Sequence, residues 1–286
     1  MSSTFPLKGL DRAMAPTYAV IIPVYNGAAT LALCLNSIAK QSLLPDEVIV
    51  VDDGSTDGTQ GILGEFQPLF SHLGISFRVF NSPKKSGPAA ARNMALEKSS
   101  SDYIAFLDAD DFWSKNKLEI VNRYVLEPGF ELLGHSYADC NAKMGELSSS
   151  YKTRWLDKRR LLLRNPAQTS CVVMRARSVR RFNAAMHYCE DYDLWLRIAE
   201  TTNVLWLVGP PLTELGRPQL SPGGQSSSAA RMRLGEIRVY YAFCSRSWIR
   251  RAWLLPILLL YSAFKHAYSI GRRKMGLRSI AGAMDR

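Results

Sequence analysis

Apolar strands and helices alternate regularly through residues 18–126, and this alternation limits the folds open to the chain. Four short apolar runs are separated by predicted helices, of which 29–41 has apolar residues at helical spacing. The runs are YAVIIPVYN (18–26), EVIVVDD (47–53), ISFRVFN (75–81) and YIAFLD (103–108). The other predicted helices are TDGTQGILGEF (56–66), GPAAARNMALEKS (87–99) and, after the fourth run, SKNKLEIVNRYVL (114–126). Strands that are apolar on both faces belong to parallel sheets covered by helices on each side. The sequence therefore predicts an α/β fold with a Rossmann-like, mostly parallel sheet flanked by helices.

The second half of the chain is less regular. SCVVM (170–174) and NVLWLVG (203–209) are typical of strands, and EDYDLWLRIAET (190–201) has the spacing of a helix. Residues 216–228 are rich in Gly, Pro and Ser, as in a linker. Beyond it the sequence predicts a basic helical extension.

The net charge of +11 is concentrated in the second half, whereas the first half is acidic. Basic surfaces attract nucleic acid, anionic lipid or phosphorylated substrates, but no nucleic-acid-binding motif is present. The arginines within 154–164 fit an acceptor phosphate and a solvated helix face equally well. Five scattered cysteines without C-x-x-C spacing indicate free thiols in a reducing cytosol. The first sixteen residues lack the apolar region of a secretory signal.

Two adjacent acids, Asp52 and Asp53, follow the second predicted strand. The stretch VVDDGSTDGTQ partly fits a calcium-binding EF-hand loop, but Gly64 stands where the bidentate Glu is needed. An ordinary turn explains Ser55 and Thr56 as caps. Because ligands bind at the carboxyl ends of parallel strands, a hydrogen-bonding ligand explains the two acids better.

Three more carboxylates, Asp108, Asp110 and Asp111, end the fourth predicted strand. Carboxylates this close repel one another unless a cation lies between them. On an extended segment alternate side chains share one face, so Asp108 and Asp110 would point into the same cleft. Mg²⁺ and Mn²⁺ prefer carboxylate oxygens and also bind diphosphate oxygens. The pattern predicts a divalent metal site at Asp108 and Asp110, with Asp111 as an alternative cap of the following helix.

Five blocks of the sequence together resemble one family. They are IIPVYNGAATLALCLNSIAKQ, VIVVDDGSTDGT, SGPAAARNMA, YIAFLDADDFW and CEDYDLWLRI. In order and spacing, over residues 18–210, these blocks are similar to the family 2 glycosyltransferases of the GT-A fold. The resemblance implies an inverting enzyme that uses a nucleotide-diphospho-sugar, often a UDP-sugar. The segment after residue 216 lies outside the resemblance.

The resemblance also implies roles for the matching residues. Pro23 and Tyr25 would flank the nucleotide, Asp53 with its neighbour Asp52 would meet the base, and Arg92 would lie by the base or diphosphate. Asp108 would touch the ribose and assist Asp110, which would hold Mg²⁺ or Mn²⁺. Asp191 resembles the general base of the family. Glu190 and Trp195 are candidates for the acceptor side, although Trp195 fits a core position better, and His187 is left without a role.

These expectations divide the chain into segments. They are an N-terminal tail (1–16), a GT-A catalytic domain (17–215) with donor (17–112) and acceptor (113–215) halves, a linker (216–228) and a basic, apolar helical tail (229–286). The implied activity is hexosyl or N-acetylhexosaminyl transfer to a glycan or lipid-linked oligosaccharide in surface polysaccharide biosynthesis. The alternative is a non-catalytic nucleotide-sugar-binding or scaffold protein. Such a decayed site would have lost at least one of Asp53, Asp108, Asp110 and Asp191.

The tail contains the apolar run 252–264, which is shorter than the about 20 residues that span a bilayer. Arg250 and Lys265 flank this run, and Trp248 and Trp253 suit the interfacial zone. This pattern predicts peripheral binding to anionic lipid on the inner face of the cytoplasmic membrane. The alternative is a helix hairpin folded against the catalytic domain that buries the same leucines.

Overall fold

The first half of the protein has the predicted alternation of strands and helices. The computed structural model describes residues 15–82, 84–140, 151–178, 180–217 and 228–274. The elements of the first half are β1 (Tyr18–Val24), α1 (Leu31–Ala39), β2 (Glu47–Asp52), α2 (Thr59–His72), β3 (Ser76–Asn81), α3 (Pro88–Lys98), β4 (Tyr103–Phe106), β5 (Phe112–Trp113) and α4 (Lys117–Asn122). Nearly all of the expected tail 1–16, most of the linker 216–228 and the end of the segment 229–286 lie outside the described residues.

The second half adds further strands and the C-terminal helices. They are β6 (Phe130–His135), β7 (Tyr137–Ala138), β8 (Lys152–Leu156), α5 (Lys158–Leu163), β9 (Val172–Arg175), α6 (Glu190–Ala199), β10 (Asn203–Val208), β11 (Thr213–Glu214), α7 (Ala229–Ser245) and α8 (Leu255–Lys274). A 3₁₀ turn, Thr169–Cys171, leads into β9, and a π-helical turn, Arg250–Leu254, leads into α8.

Eight of the described strands form one sheet in the order β3-β2-β1-β4-β9-β6-β10-β8. β3, β2, β1 and β4 run parallel to one another, as the sequence predicts. β9 runs antiparallel to both β4 and β6, and β8 runs antiparallel to β10. The predicted α/β class with a mostly parallel sheet is confirmed. Because β9 pairs directly with β4, the sheet is continuous between the expected donor and acceptor halves.

Both faces of the sheet are covered, which explains why β1 and β2 are apolar at nearly every position. Ile21 and Ile49 face a core layer that includes residues of α3, α6 and α7. Ile22 and Val50 face the opposite layer, which includes residues of α1 and α2. All four side chains are fully buried, so the sheet is a rigid platform for the loops at its carboxyl edge.

A small second sheet has the order β5-β11-β7. The chain that leaves β11 returns to the loops at the carboxyl edge of the large sheet. β11 pairs with β5 through Thr213 and Trp113. Directly after β11, Gly216 passes so close to the turn after β4 that a Cβ atom would lie 1.6 Å from the Asp110 carbonyl oxygen. Only glycine allows this approach, which places residues 216–217 over the acidic turn.

The C-terminal helices pack on the same core as the sheet. α7 buries Val239, Tyr240 and Phe243 in the layer that also contains α6. α8 adds Leu255 and Leu258 to this layer. The predicted hairpin alternative therefore holds for one face of these helices, while other apolar side chains of α8 stay exposed. Among the described helices, none has the length and apolar character required to cross a bilayer.

Candidate active site

A cleft of about 740 Å³ opens at the carboxyl ends of β1, β2 and β4, within the usual size range of small-molecule sites. Most of the predicted site residues line it. They are Pro23, Tyr25, Asp53, Arg92, Asp108, Asp110, Glu190 and Asp191. The remaining two, Asp52 and Trp195, do not reach it.

Asp52 does not reach the cleft beside Asp53, and Trp195 has the core position that the sequence favoured over the acceptor side. Asp52 is 2% exposed, and its carboxylate accepts a hydrogen bond from the Ser55 backbone N–H at 2.8 Å. It therefore fixes the turn after β2. Trp195 is fully buried, with its ring centroid 6.0 Å from those of Phe106 and Phe182. Because α6 turns this side chain toward the sheet, Trp195 belongs to the core and faces no acceptor.

Asp53 connects the end of β2 to the start of α3. Its carboxylate accepts hydrogen bonds from the backbone N–H groups of Ser86 at 2.8 Å and Gly87 at 2.7 Å. Gly87 precedes α3 with a φ of 88°, a left-handed conformation that favours glycine, and Pro88 fits the first helical position. Asp53 thus positions the helix that carries Arg92. Its contact with a nucleotide base stays a prediction.

Arg92 links the turn after β4 to the start of α6 through a pair of buried ion pairs. Its guanidinium donates to Asp108 Oδ1 at 2.6 Å and to Glu190 Oε1 at 3.0 Å. Burial alone lowers the pKa of Arg92, but the Asp108 and Glu190 carboxylates raise it further than burial lowers it, so the side chain stays charged. Glu190 lines the cleft, yet its carboxylate is directed at Arg92, which makes it a positioning residue for the acidic turn.

The acidic residues after β4 lie on a turn, not on the extended segment that the sequence suggests. β4 ends at Phe106, and the Asp111 N–H donates to the Asp108 carbonyl at 3.0 Å. The turn still directs Asp108 and Asp110 into the cleft, where each keeps 34% of its side-chain surface exposed. The shared cleft that was expected from alternation is therefore produced by a different backbone conformation.

Asp111 does not cap the following helix, whose N-cap is Asn116. It is 7% exposed, and its carboxylate accepts hydrogen bonds from Ser170 Oγ at 2.5 Å and from the Gly216 N–H at 3.1 Å. Ser170 Oγ also accepts from the Asp108 N–H at 3.0 Å. Burial, together with Asp108, raises the pKa of Asp111. Asp111 thus fastens the acidic turn to the 3₁₀ turn before β9.

The fully buried side chain of Lys117 contacts the backbone of Ser170. Lys117 Nζ donates to the Ser170 carbonyl at 2.7 Å and lies 3.7 Å from the centroid of the Trp113 ring. Burial lowers the pKa of Lys117 to about 7. The Trp113 indole N–H and the Thr213 hydroxyl donate to the same carbonyl. Three elements, α4, β5 and β11, therefore donate to the Ser170 carbonyl, which makes the base of the acidic turn rigid.

Asp108 and Asp110 fit a divalent cation that shares its coordination with a diphosphate. In the parts of the chain that the structure describes, no set of three or more His, Cys, Asp or Glu side chains could hold a metal by itself. Mg²⁺ is commonly bound by one or two carboxylates plus substrate phosphates. Burial and Asp108 raise the pKa of Asp110, and Arg217 Nε lies 3.2 Å from its Oδ2, as expected for an acidic site that attracts cations.

Asp191 also lines the cleft, in the first turn of α6. Its Oδ2 accepts a hydrogen bond from Thr169 Oγ1 at 3.3 Å. Burial, followed by the charge of Glu190, raises the pKa of Asp191, which makes its carboxylate a stronger base.

Two residues that line the cleft have left-handed backbones. Cys189 (φ 59°) and Asn26 (φ 51°) are the described non-glycine residues with this conformation. Such strain clusters at functional sites.

Several cleft residues were not predicted from the sequence. Lys85 Nζ lies 3.5 Å from the centroid of the Tyr25 ring, Arg217 pairs with Asp110, and His187 lines the cleft. The signal for Lys85 was the Lys84–Lys85 pair directly before the start of α3. Arg217 had no such signal, because its segment has the composition of a linker.

The family model described as "Glycosyl transferase family 2" matches residues 19–189. This range includes the cleft residues Pro23, Tyr25, Asp53, Arg92, Asp108 and Asp110. The chain belongs to glycosyltransferase family 2. This glycosyltransferase is 33% identical over 183 residues to an uncharacterized glycosyltransferase of Haemophilus influenzae, covering 63% of this chain and 71% of that one. It is 29% identical over 187 residues to the UDP-Glc:alpha-D-GlcNAc-diphosphoundecaprenol beta-1,3-glucosyltransferase WfgD of Escherichia coli, covering 65% and 70%.

Solved structures agree with this assignment at the level of the fold. The mannosyltransferase PcManGT from Pyrobaculum calidifontis, in complex with GDP-Man and Mn²⁺, superposes with a TM-score of 0.62 at 17% identity. The superposition covers 96% of this chain and 79% of PcManGT. The predicted GT-A fold is therefore confirmed for this family 2 enzyme.

Proposed function

We propose that this family 2 glycosyltransferase is an inverting enzyme that moves a sugar from a nucleotide-diphospho-sugar to an acceptor hydroxyl. The observation that carries the proposal is that Asp108, Asp110 and Asp191 line one cleft. Asp108 and Asp110 suit a metal-bound diphosphate, and Asp191 is a carboxylate whose pKa is raised by burial and by Glu190. A transferred sugar would lie between them.

The donor is proposed to be a UDP-sugar. Pro23 and Tyr25 would flank the nucleotide, Asp53 would meet the base, and Asp108 would contact the ribose. The donor named for WfgD is UDP-Glc, which supports uridine, whereas the more distantly related PcManGT was solved with GDP-Man. Lys85 at the edge of the cleft adds a positive charge that suits the diphosphate.

Asp108 and Asp110 would hold Mg²⁺ or Mn²⁺, and the Mn²⁺ in the PcManGT complex supports this role. The bound ion would stabilise the negative charge that develops on the departing nucleoside diphosphate. Arg92 keeps Asp108 in place, while Ser170 and Asp111 hold the turn that carries both ligands. Arg217 would have to leave Asp110 and can then pair with the diphosphate.

Asp191 is proposed to be the general base. Its carboxylate would take the proton of the acceptor hydroxyl as the hydroxyl oxygen attacks the anomeric carbon. The bond between that carbon and the diphosphate oxygen breaks in the same displacement, so the anomeric configuration inverts. Thr169, which donates to Asp191 Oδ2, orients the carboxylate for this step.

The acceptor is proposed to be a hydroxyl of a glycan or lipid-linked oligosaccharide in surface polysaccharide biosynthesis. The acceptor in the name of WfgD is a GlcNAc-diphosphoundecaprenol, which supports a lipid-linked substrate. An enzyme that extends such a lipid would work peripherally on the inner face of the cytoplasmic membrane. A decayed, non-catalytic site would have lost at least one of four acids, whereas all four line the cleft, which favours catalysis: Asp53, Asp108, Asp110 and Asp191.

The experiment is a panel of UDP- and GDP-sugars with Mg²⁺ or Mn²⁺ and a short lipid-diphosphate-linked acceptor. Nucleoside diphosphate release measures turnover, and NMR of the product gives its anomeric configuration. We expect release from one donor class and inversion at the anomeric carbon. A protein that binds a donor but releases no nucleoside diphosphate would be the non-catalytic alternative, and retained configuration would exclude the single displacement.

A further inference from the structure

Six large apolar side chains of the C-terminal helices point to solvent along one line. Their spacing of four, four, three, four and four positions keeps them on one helix face. They are Ile249, Trp253, Ile257, Leu260, Phe264 and Tyr268, and together they are called the outer stripe. Trp253, Leu260 and Phe264 are 73%, 73% and 71% exposed. At 1.5 Å per residue the outer stripe is roughly 28 Å long.

The opposite face of α8 is anchored, so the outer stripe is fixed in its outward direction. Leu255 and Leu258 are buried against the core, and Ser262 Oγ donates to Glu236 Oε2 of α7 at 2.8 Å. The Tyr261 hydroxyl donates to the Leu163 carbonyl at 2.9 Å. Single exposed apolar side chains are normal on a protein surface. A continuous apolar stripe on a firmly docked helix marks an interaction surface.

The charge around the outer stripe favours an anionic partner. From residue 229 onward the sequence contains many Lys and Arg residues but only the acids Glu236 and Asp285. Glu236 is paired with Lys265. Arg251 is exposed as well, and its guanidinium donates to the Tyr241 hydroxyl at 2.9 Å. A second copy of this chain would bring two positive faces together, which is unfavourable, whereas anionic lipid headgroups complement them.

We propose that the outer stripe docks this enzyme on a membrane surface that contains anionic lipid, with α8 lying in the plane of the interface. Trp248, Trp253 and Tyr268 are residue types that favour the headgroup zone. Leu260 and Phe264 between them would enter the boundary of the acyl chains, as in other interfacial helices. This proposal rests on the proposed function for its purpose, because docking would bring the cleft to a lipid-linked acceptor.

The position of α8 relative to the cleft agrees with that purpose. Met232 lines the cleft, and Glu236 lies one turn further along α7, where Ser262 and Lys265 of α8 hold it. The other end of the stripe lies near Glu200, just after α6, which pairs with Arg250. The Phe264 end of the outer stripe is therefore the end nearer to the cleft.

The test is co-sedimentation of the full chain with phosphatidylcholine vesicles, with and without phosphatidylglycerol. Truncation before α7 is unsuitable, because α7 buries core side chains. The stripe variant carries Leu260→Ser and Phe264→Ser. The matched control carries Leu33→Ser and Leu126→Ser, which remove exposed leucines elsewhere that are 60% and 62% exposed.

We expect the wild type to bind the anionic vesicles and to bind less as salt is raised. Binding of the stripe variant should fall at least about tenfold, and the control should bind like the wild type. Wild-type protein that stays in the supernatant, or a stripe variant that binds normally, would overturn the proposal. A wild-type dimer that the stripe substitutions dissociate, without vesicle binding, would assign the stripe to a second copy instead.

A second readout separates docking from catalysis. Nucleoside diphosphate release with a water-soluble acceptor analogue and no vesicles should be the same for the wild type and the stripe variant. Lost vesicle binding with intact release supports the docking role. Absent release from both proteins, with normal vesicle binding by the wild type, would count against the proposed function and leave docking supported.

Discussion

Arg92→Met removes the guanidinium that links the turn after β4 to the start of α6. Arg92 is 4% exposed and pairs with Asp108 at 2.6 Å and Glu190 at 3.0 Å. Methionine fills a similar apolar volume but leaves the Glu190 carboxylate, on a residue that is 5% exposed, without its cation. The change therefore tests the buried charge network with little disturbance of packing.

The expected loss of stability follows from this burial. Removing one partner of a buried ion pair costs about 3–5 kcal/mol. Asp108 keeps 34% of its side-chain surface exposed, so water can solvate it in the variant, and the lower end of about 3 kcal/mol is expected. In a catalytic domain of this size that loss corresponds to a decrease in Tm of about 6–12 °C.

Urea unfolding followed by circular dichroism measures the loss. The matched control is Arg123→Met, which removes an arginine paired with Glu119 on the surface, where both side chains are more than 40% exposed (42% and 41%). Its effect should stay below about 1 kcal/mol. An Arg92→Met protein as stable as the Arg123→Met control would refute the reasoning that the buried pairs hold the cleft together.

Three further predictions concern single side chains. Asp110→Ala should abolish turnover. The unfolding midpoint should stay near that of the wild type, because this side chain is partly exposed. EDTA should have the same effect on turnover, and full turnover in EDTA would contradict a metal role. Burial and Glu190 raise the pKa of Asp191, so kcat/KM should begin to fall at a pH well above 4, the usual Asp pKa being about 4. A kcat/KM profile that is flat down to about pH 4 would contradict the role of Asp191 as base. Lys117 has a folded-state pKa of about 7, below the unfolded value of 10.5, so the unfolded chain binds more protons between these values. Wild-type stability relative to Lys117→Met should therefore rise between pH 7 and about 10 in urea unfolding, and a constant difference would contradict the lowered pKa of Lys117.

The elements whose pattern is local were predictable from the sequence. Predicted helix 87–99 became α3 (Pro88–Lys98), and predicted helix 190–201 became α6 (Glu190–Ala199). Pro88 at its first position and a run of Ala favour α3, and the spacing of Leu194, Trp195 and Ile198 favours α6. Helix 114–126 is shorter than predicted, since α4 covers Lys117–Asn122 and irregular turns follow it. α2 extends beyond the predicted end to His72, with Pro68 inside it.

Contacts between distant parts of the chain were not predictable in this way. The antiparallel insertion of β9 between β4 and β6 depends on pairing between segments far apart in sequence. Lys117 is another example, because a lysine in a helical pattern is normally solvated, yet here it lies under Ser170 with no exposed surface. Neither the strand direction nor the burial has a signal within its own segment.

The candidate site also combines residues with a local sequence signal and contacts that only the folded chain brings together. Asp53, Asp108, Asp110 and Asp191 were predicted as site residues because they follow strands or begin a helix within recognisable motifs, and all four line the cleft. Their supporting contacts were not found, since Arg92 meets Glu190 and Asp111 meets Ser170 only after folding. Arg217 reaches Asp110 from a segment that resembles a linker, so composition alone pointed away from the site.

The measurement that tests the account most directly is turnover and donor affinity of Asp191→Asn in the same preparation. Asparagine keeps the shape of the side chain but cannot accept the proton of the acceptor hydroxyl. We predict that kcat falls by about 10²–10⁴, the usual effect of a lost general base, while the dissociation constant of the nucleotide-sugar is unchanged. Normal turnover, or loss of donor binding in place of turnover, would contradict the assignment of Asp191 as the base of a glycosyl transfer.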